Sequence, residues 1–185
     1  MSKGILTAPV GPDDHVQGPE NAPITLVEYG DYECPHCARA HPVVQQIQHR
    51  LGDALRFVFR NFPLREAHPH AEHAAEAAEA VAVHAGEEAF WDMHDLMFEN
   101  QEALDDPALL AYAGSLGVDE VVLADDLASG AVANRVNRDF RSGIRSGVNG
   151  TPTFFVNGQR YDGEWSDPGI FAANLRLLLS AHARR

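Results

Sequence analysis

The chain has 185 residues, a 45% hydrophobic share and a 22% charged share, which suit one globular domain of roughly 100–200 residues and exclude a disordered chain. Its 14 basic and 27 acidic residues give a formal charge of −13; such a surface repels phosphate backbones and anionic lipid, so neither nucleic acid nor a membrane is expected as a partner. No apolar run approaches the roughly 20 residues that span a bilayer, and the opening MSKGILTAPVGPDDH lacks the apolar core of a secretory signal, so the expected location is the cytoplasm, or the periplasm if a leader has been removed.

Residues 1–22 are rich in Pro, Gly and Asp; 1–14 is read as an arm, with a short edge strand at His15–Gln17. Ile24–Tyr29 is apolar or β-branched at nearly every position, as in a strand covered on both faces. After a turn at Gly30–Glu33, Val43, Val44, Ile47 and Leu51 recur at helical spacing and Gly52 ends the helix. With Cys34 as its cap, Pro35 takes the first helical position, where a missing N–H costs nothing; Pro42 lies inside and should kink the helix around Ala38–Pro42. Leu55, Phe57 and Phe59 alternate as a second strand, completing a strand–helix–strand unit with right-handed crossover.

From about Glu66 to Ser146 the pattern is helical. An alanine-rich helix opens at His68–Pro69, and Phe90, Met93, His94, Met97 and Phe98 line the next. Asp106–Pro107 caps a third, a shorter one follows Asp119, and Val132, Val136, Phe140 and Ile144 lie four apart on a fifth. Thr153–Val156 then forms a strand, Asn157–Gly158 a hairpin turn, Gln159–Tyr161 its partner, and Asp167–Pro168 caps a last helix carrying Ile170, Phe171, Leu175, Leu178 and Leu179. The fold class is therefore α/β, with residues 15–65 and 147–183 forming a sheet domain and 66–146 an inserted helical subdomain.

Cys34 and Cys37 are the only cysteines. Two placed at random would stand three apart about once in a hundred tries, and a four-residue loop closed by a disulfide restrains the unfolded chain very little. At a helix N-terminus, Cys34 faces unpaired N–H groups and the positive end of the dipole, which favour thiolate and lower a cysteine pKa from about 8.5 into the range of roughly 3.5–7.5. His36 adds a donor or a positive charge. Cys37, nearly a turn further, is expected to be more buried. An exposed attacker beside a resolving thiol is what disulfide exchange requires. A metal is the alternative: Cys34, Cys37 and His41 share one helical face, although a structural zinc site normally has four protein ligands and His41 is expected at the surface. His68, His70, His73 and His84 form no recognised ligand pattern and are read as helix-cap and surface residues.

The CPHC motif opening a helix after a strand, the late Thr151–Pro152 before a strand, and the runs FPLREAHPHA and FWDMHDLMFENQ resemble the DsbA-like thiol–disulfide oxidoreductases of the thioredoxin superfamily, over roughly His15 to His182. The resemblance implies a thioredoxin-like fold with a central mixed sheet. It also implies a redox-active Cys34–Cys37 disulfide with no further cofactor, and protein substrates bearing thiols or disulfides. Thr151–Pro152 matches the family's cis-proline site, where the backbone of Thr151 would pair with substrate. Glu28 matches its buried acid, which would move a proton to or from Cys37. Glutathione or a thioredoxin-type protein would recycle the pair. The alternative is a non-enzymatic redox-sensing or metal-holding module. Direction stays open, because a stabilised thiolate makes an oxidant whereas a cytoplasmic location favours reduction.

Overall fold

In the computed structural model, which describes residues 4–182, the chain divides into two units. One contains the residues up to Tyr29, Arg39–Arg60 and those from Ser142 onward; the other contains Gly30–Ala38 and Asn61–Arg141.

The first unit holds nearly all of a sheet made from β1 (His15–Gln17), β2 (Ile24–Gly30), β3 (Leu55–Asn61), β4 (Thr153–Val156) and β5 (Gln159–Tyr161), in the spatial order β1-β3-β2-β4-β5. β4 runs antiparallel to β2, with Leu26 opposite Val156 and Glu28 opposite Phe154. β5 pairs antiparallel with β4, and β1 with β3. The connection from β2 to β3 is α1 (Pro35–Leu51), the expected strand–helix–strand unit, and Pro42 lies within it. Ile24, Leu26, Val27 and Phe155 are sealed from solvent, as continuous apolar strands predict. The hairpin uses Asn157 and Gly158 at φ 48° and 81°, the left-handed pair whose twist matches the flanking strands. Asn157 does more than turn: its Oδ1 accepts the Thr25 N–H at 2.7 Å and its Nδ2 donates to the Pro23 carbonyl at 3.1 Å.

Arg60 is buried at the end of β3, where its guanidinium donates to both Asp14 oxygens at 2.8 and 2.9 Å and to the Tyr29 hydroxyl at 2.9 Å. The arm therefore supplies the countercharge for an interior cation. It also extends the sheet edge, since Ile5 bridges to Gln159 and the Leu6 N–H donates to the Gly158 carbonyl at 2.8 Å. α7 (Pro168–His182) is capped as expected, with Asp167 Oδ1 accepting the N–H groups of Gly169 and Ile170 at 2.8 Å each. Phe171 stands between Phe154 and Tyr161, at centroid distances of 5.4 and 5.1 Å. Ile170 and Leu178 face solvent despite their place in the apolar pattern.

The second unit is built from α2 (Ala71–Ala85), α3 (Glu87–Glu99), α4 (Asp106–Ser115), α5 (Glu120–Ser129) and most of α6 (Ala133–Ser146). α2 buries Ala74, Ala77, Ala78 and Val81, small side chains that let its neighbours approach, and α3 buries Phe90, Met93 and Met97 completely. Three expectations need correction. The cap of α4 is Asp105, whose side chain accepts the Ala108 N–H, so Asp106 is already helical. On α6 Ile144 is exposed, because Asp139, Ser142 and Ser146 occupy the buried side and their polar atoms are bonded there. Finally, the cysteine segment Gly30–Ala38 groups with the helices rather than with the sheet, and its own hydrogen bonds show why.

Candidate active site

Cys34 is the residue immediately before α1, and its carbonyl accepts the first helical bond from the Ala38 N–H at 3.1 Å. Its own N–H donates to the Asp31 carbonyl at 3.1 Å, closing a tight turn over Asp31–Cys34. The side-chain amide of Gln101, beyond α3, donates to the carbonyls of Tyr32 at 2.6 Å and Cys34 at 2.9 Å. The Tyr32 ring packs against Phe98 and His94, at centroid distances of 5.0 and 5.5 Å, and its hydroxyl contacts His94 Nδ1 at 3.2 Å. An aromatic anchor on one side and an amide clamp on the other draw the turn inward. Cys34 keeps 4% of its surface and Cys37 none. Cys37 is the deeper of the two, as expected; the expectation that Cys34 is exposed is corrected. The Asp31 N–H donates to Cys37 Sγ at 3.5 Å.

Sequence reasoning missed the carboxylates of this turn. The Asp31 side chain is fully buried and accepts three donors: the Glu33 N–H at 2.8 Å, the Leu64 N–H at 2.8 Å and His68 Nδ1 at 2.8 Å. Glu33 accepts the N–H of His70, the residue before α2, at 2.7 Å. Two acidic residues thus fasten the segment after β3 to the cysteine turn. His68 is no helix cap; Asp31 holds it. Burial opposes its protonation, yet the hydrogen bond and charge of Asp31, with the charges of Cys34 and Glu33, leave its pKa raised above 6.5. The signal in the sequence was present but unassigned: an acid three residues before the first cysteine, and a histidine inside FPLREAHPHA.

The remaining candidates are placed as follows. His36 is exposed on the first turn of α1. Glu28 is buried on β2 at 3% exposure. The Thr151–Pro152 peptide bond is cis and immediately precedes β4. His41 is buried, correcting its expected surface position, because it lies three residues before Val44 on the inward side of α1; burial lowers its pKa to about 4. His73 and His84 reach Asp106 and Asp126 at 2.7 Å each, tying α2 to α4 and α5.

A family model described as thioredoxin matches residues 11–170. The solved structure of oxidised BdbD from Bacillus subtilis superposes with a TM-score of 0.83 at 26% identity, covering 96% of this chain and 99% of that one. The thiol-disulfide exchange protein alpha-DsbA2 from Wolbachia pipientis gives 0.75 at 22% identity, covering 89% and 87%. The chain belongs to the thioredoxin superfamily as a DsbA-like member. Among curated proteins it is 44% identical over 188 residues to the Na(+)/H(+) antiporter NhaA 3 of Salinispora tropica, covering 99% of this chain but 28% of the antiporter. Among the described residues no helix is long and apolar enough to cross a membrane.

Proposed function

We propose that the protein is a thiol–disulfide oxidoreductase acting through Cys34 and Cys37. The observation that carries this reading is the seat of Cys34 as the residue capping α1, with Cys37 buried one turn on and bonded through its sulfur to the Asp31 N–H. The helix N-terminus favours a thiolate at Cys34. In the oxidised pair, a substrate thiolate attacks Cys34 Sγ; the new substrate–Cys34 bond forms as the Cys34–Cys37 bond breaks, and Cys37 leaves as thiolate. A second substrate thiolate then attacks the substrate sulfur of this mixed disulfide and expels Cys34. The substrate loses two electrons and the cysteine pair gains them. Run backwards, the reduced pair reduces a substrate disulfide, and the compartment's thiol poise selects the direction.

Glu28 would carry the proton that the departing Cys37 thiolate takes up, a role supported by the family resemblance and by its burial. Thr151, with Pro152 following, would offer its backbone to the substrate peptide. The substrates are proteins with thiols or disulfides, with glutathione or a thioredoxin-type protein recycling the pair in the cytoplasm. The match to little more than a quarter of an antiporter supports a further reading, that this module is the thiol–disulfide part of those longer chains.

Insulin reduction by dithiothreitol, followed as turbidity, tests the activity. Wild type accelerates it and Cys34→Ser falls to the uncatalysed rate; equal rates for both contradict the enzyme reading. Stoichiometric zinc in protein purified without added metal would favour the redox-sensing or metal-holding alternative instead.

A further inference from the structure

Asp31 joins three groups that exchange chemistry needs together. Its N–H donates to Cys37 Sγ, its carbonyl accepts the Cys34 N–H, and its carboxylate accepts His68 Nδ1. Two backbone N–H groups, from Glu33 and Leu64, already point at that carboxylate, so the imidazole nitrogen facing it is the donor. That fixes the tautomer: the neutral ring carries its proton on Nδ1, and any second proton goes to Nε2. The His68 side chain keeps 19% of its surface while Asp31 keeps none, so the ring can exchange protons with water from an anchored position.

We propose that His68, oriented by Asp31, is the acid–base partner that governs the ionisation of Cys34, and that Asp31 is a positioning residue acting through it. The proposal rests on the reading of Cys34 as the exchanging sulfur and names what regulates it. The charged groups that act on His68 are Asp31, which it contacts at 2.8 Å, and Cys34 and Glu33, all from the turn before α1. The negative charge of Cys34 favours the imidazolium, and coupling between two sites is reciprocal, so the imidazolium favours the thiolate by the same factor. Below the raised pKa of His68 a cation is held by the carboxylate of Asp31, the residue whose carbonyl accepts the Cys34 N–H. As pH rises through that value the cation is lost, and the thiolate loses that support.

The test is a reciprocal titration of the reduced full chain. Ultraviolet thiolate absorbance against pH gives the Cys34 midpoint in wild type and in His68→Gln, where the amide can still donate to Asp31. The imidazole resonances of His68 give its midpoint in wild type and in Cys34→Ser. Removing the imidazole should raise the Cys34 midpoint by about one unit, the low end for loss of an opposite charge. Equilibrated with glutathione, His68→Gln should shift about tenfold toward the disulfide. Removing the sulfur should lower the His68 midpoint. Midpoints that stay put, or a shift in only one direction of the pair, overturn the proposal. If His68→Gln does not fold, the Cys34→Ser titration decides alone. Insulin reduction by wild type runs alongside: its absence would sink the exchange reading, whereas unmoved midpoints in an active protein would sink only the role of His68.

Discussion

Two histidines compete for influence over one sulfur, and their surroundings rank them. His36 sits between the cysteines in sequence but is exposed on the first turn of α1, where water and salt screen its charge. His68 lies 34 positions after Cys34 in sequence, yet a buried carboxylate orients it. His36→Ala should therefore raise the Cys34 thiolate midpoint by about half a unit, less than His68→Gln, as expected for an exposed charge. The same absorbance titration measures both, and a larger effect at His36 would reverse the ranking. Motif spacing points to Cys34 as the proposed nucleophile. The group that tunes it is visible only once the chain has turned back on itself.

At the scale of elements, the strands and their order along the chain were legible because burial imposes a continuous apolar run on β2 and a left-handed turn demands Asn157–Gly158. The helices were legible for the same kind of reason, since Asp119 and Asp167 sit where orphan N–H groups need an acceptor. What failed was the inward face of α6, where polar residues are buried by long-range bonds that no period reveals. Asp139 shows the consequence. Burial, then the nearby Glu79, raise its pKa from 3.8 to about 6, against Arg138, Arg135 and the Asn61 N–H. Because the folded state binds this proton more tightly than the unfolded one, the carboxyl contributes no penalty below about pH 4 and a growing one as pH rises toward 6, after which it levels off. Asp139→Asn should accordingly stabilise the protein by roughly 2 kcal/mol at pH 7.5 and hardly at all at pH 4. Urea unfolding at the two pH values measures it, and equal effects at both would contradict the buried-charge account.

For the molecule as a whole, the chain order, with α1 following β2, predicts a cysteine turn within the sheet domain, but Asp31, Glu33, Tyr32 and Cys34 make their bonds to Leu64, His68, His70, His94 and Gln101. The helical unit thus fixes the geometry and charge around Cys34. The formal charge of −13 acts at longer range and repels polyanions. The central claim, that Cys34 captures the substrate and Cys37 releases it, is tested most directly by trapping. Cys37→Ser should accumulate a mixed disulfide between Cys34 and a disulfide-bearing peptide, whose second sulfur leaves as thiolate, identified by mass, while Cys34→Ser accumulates none. Capture at Cys37 in Cys34→Ser, or no adduct in either variant, would contradict the account.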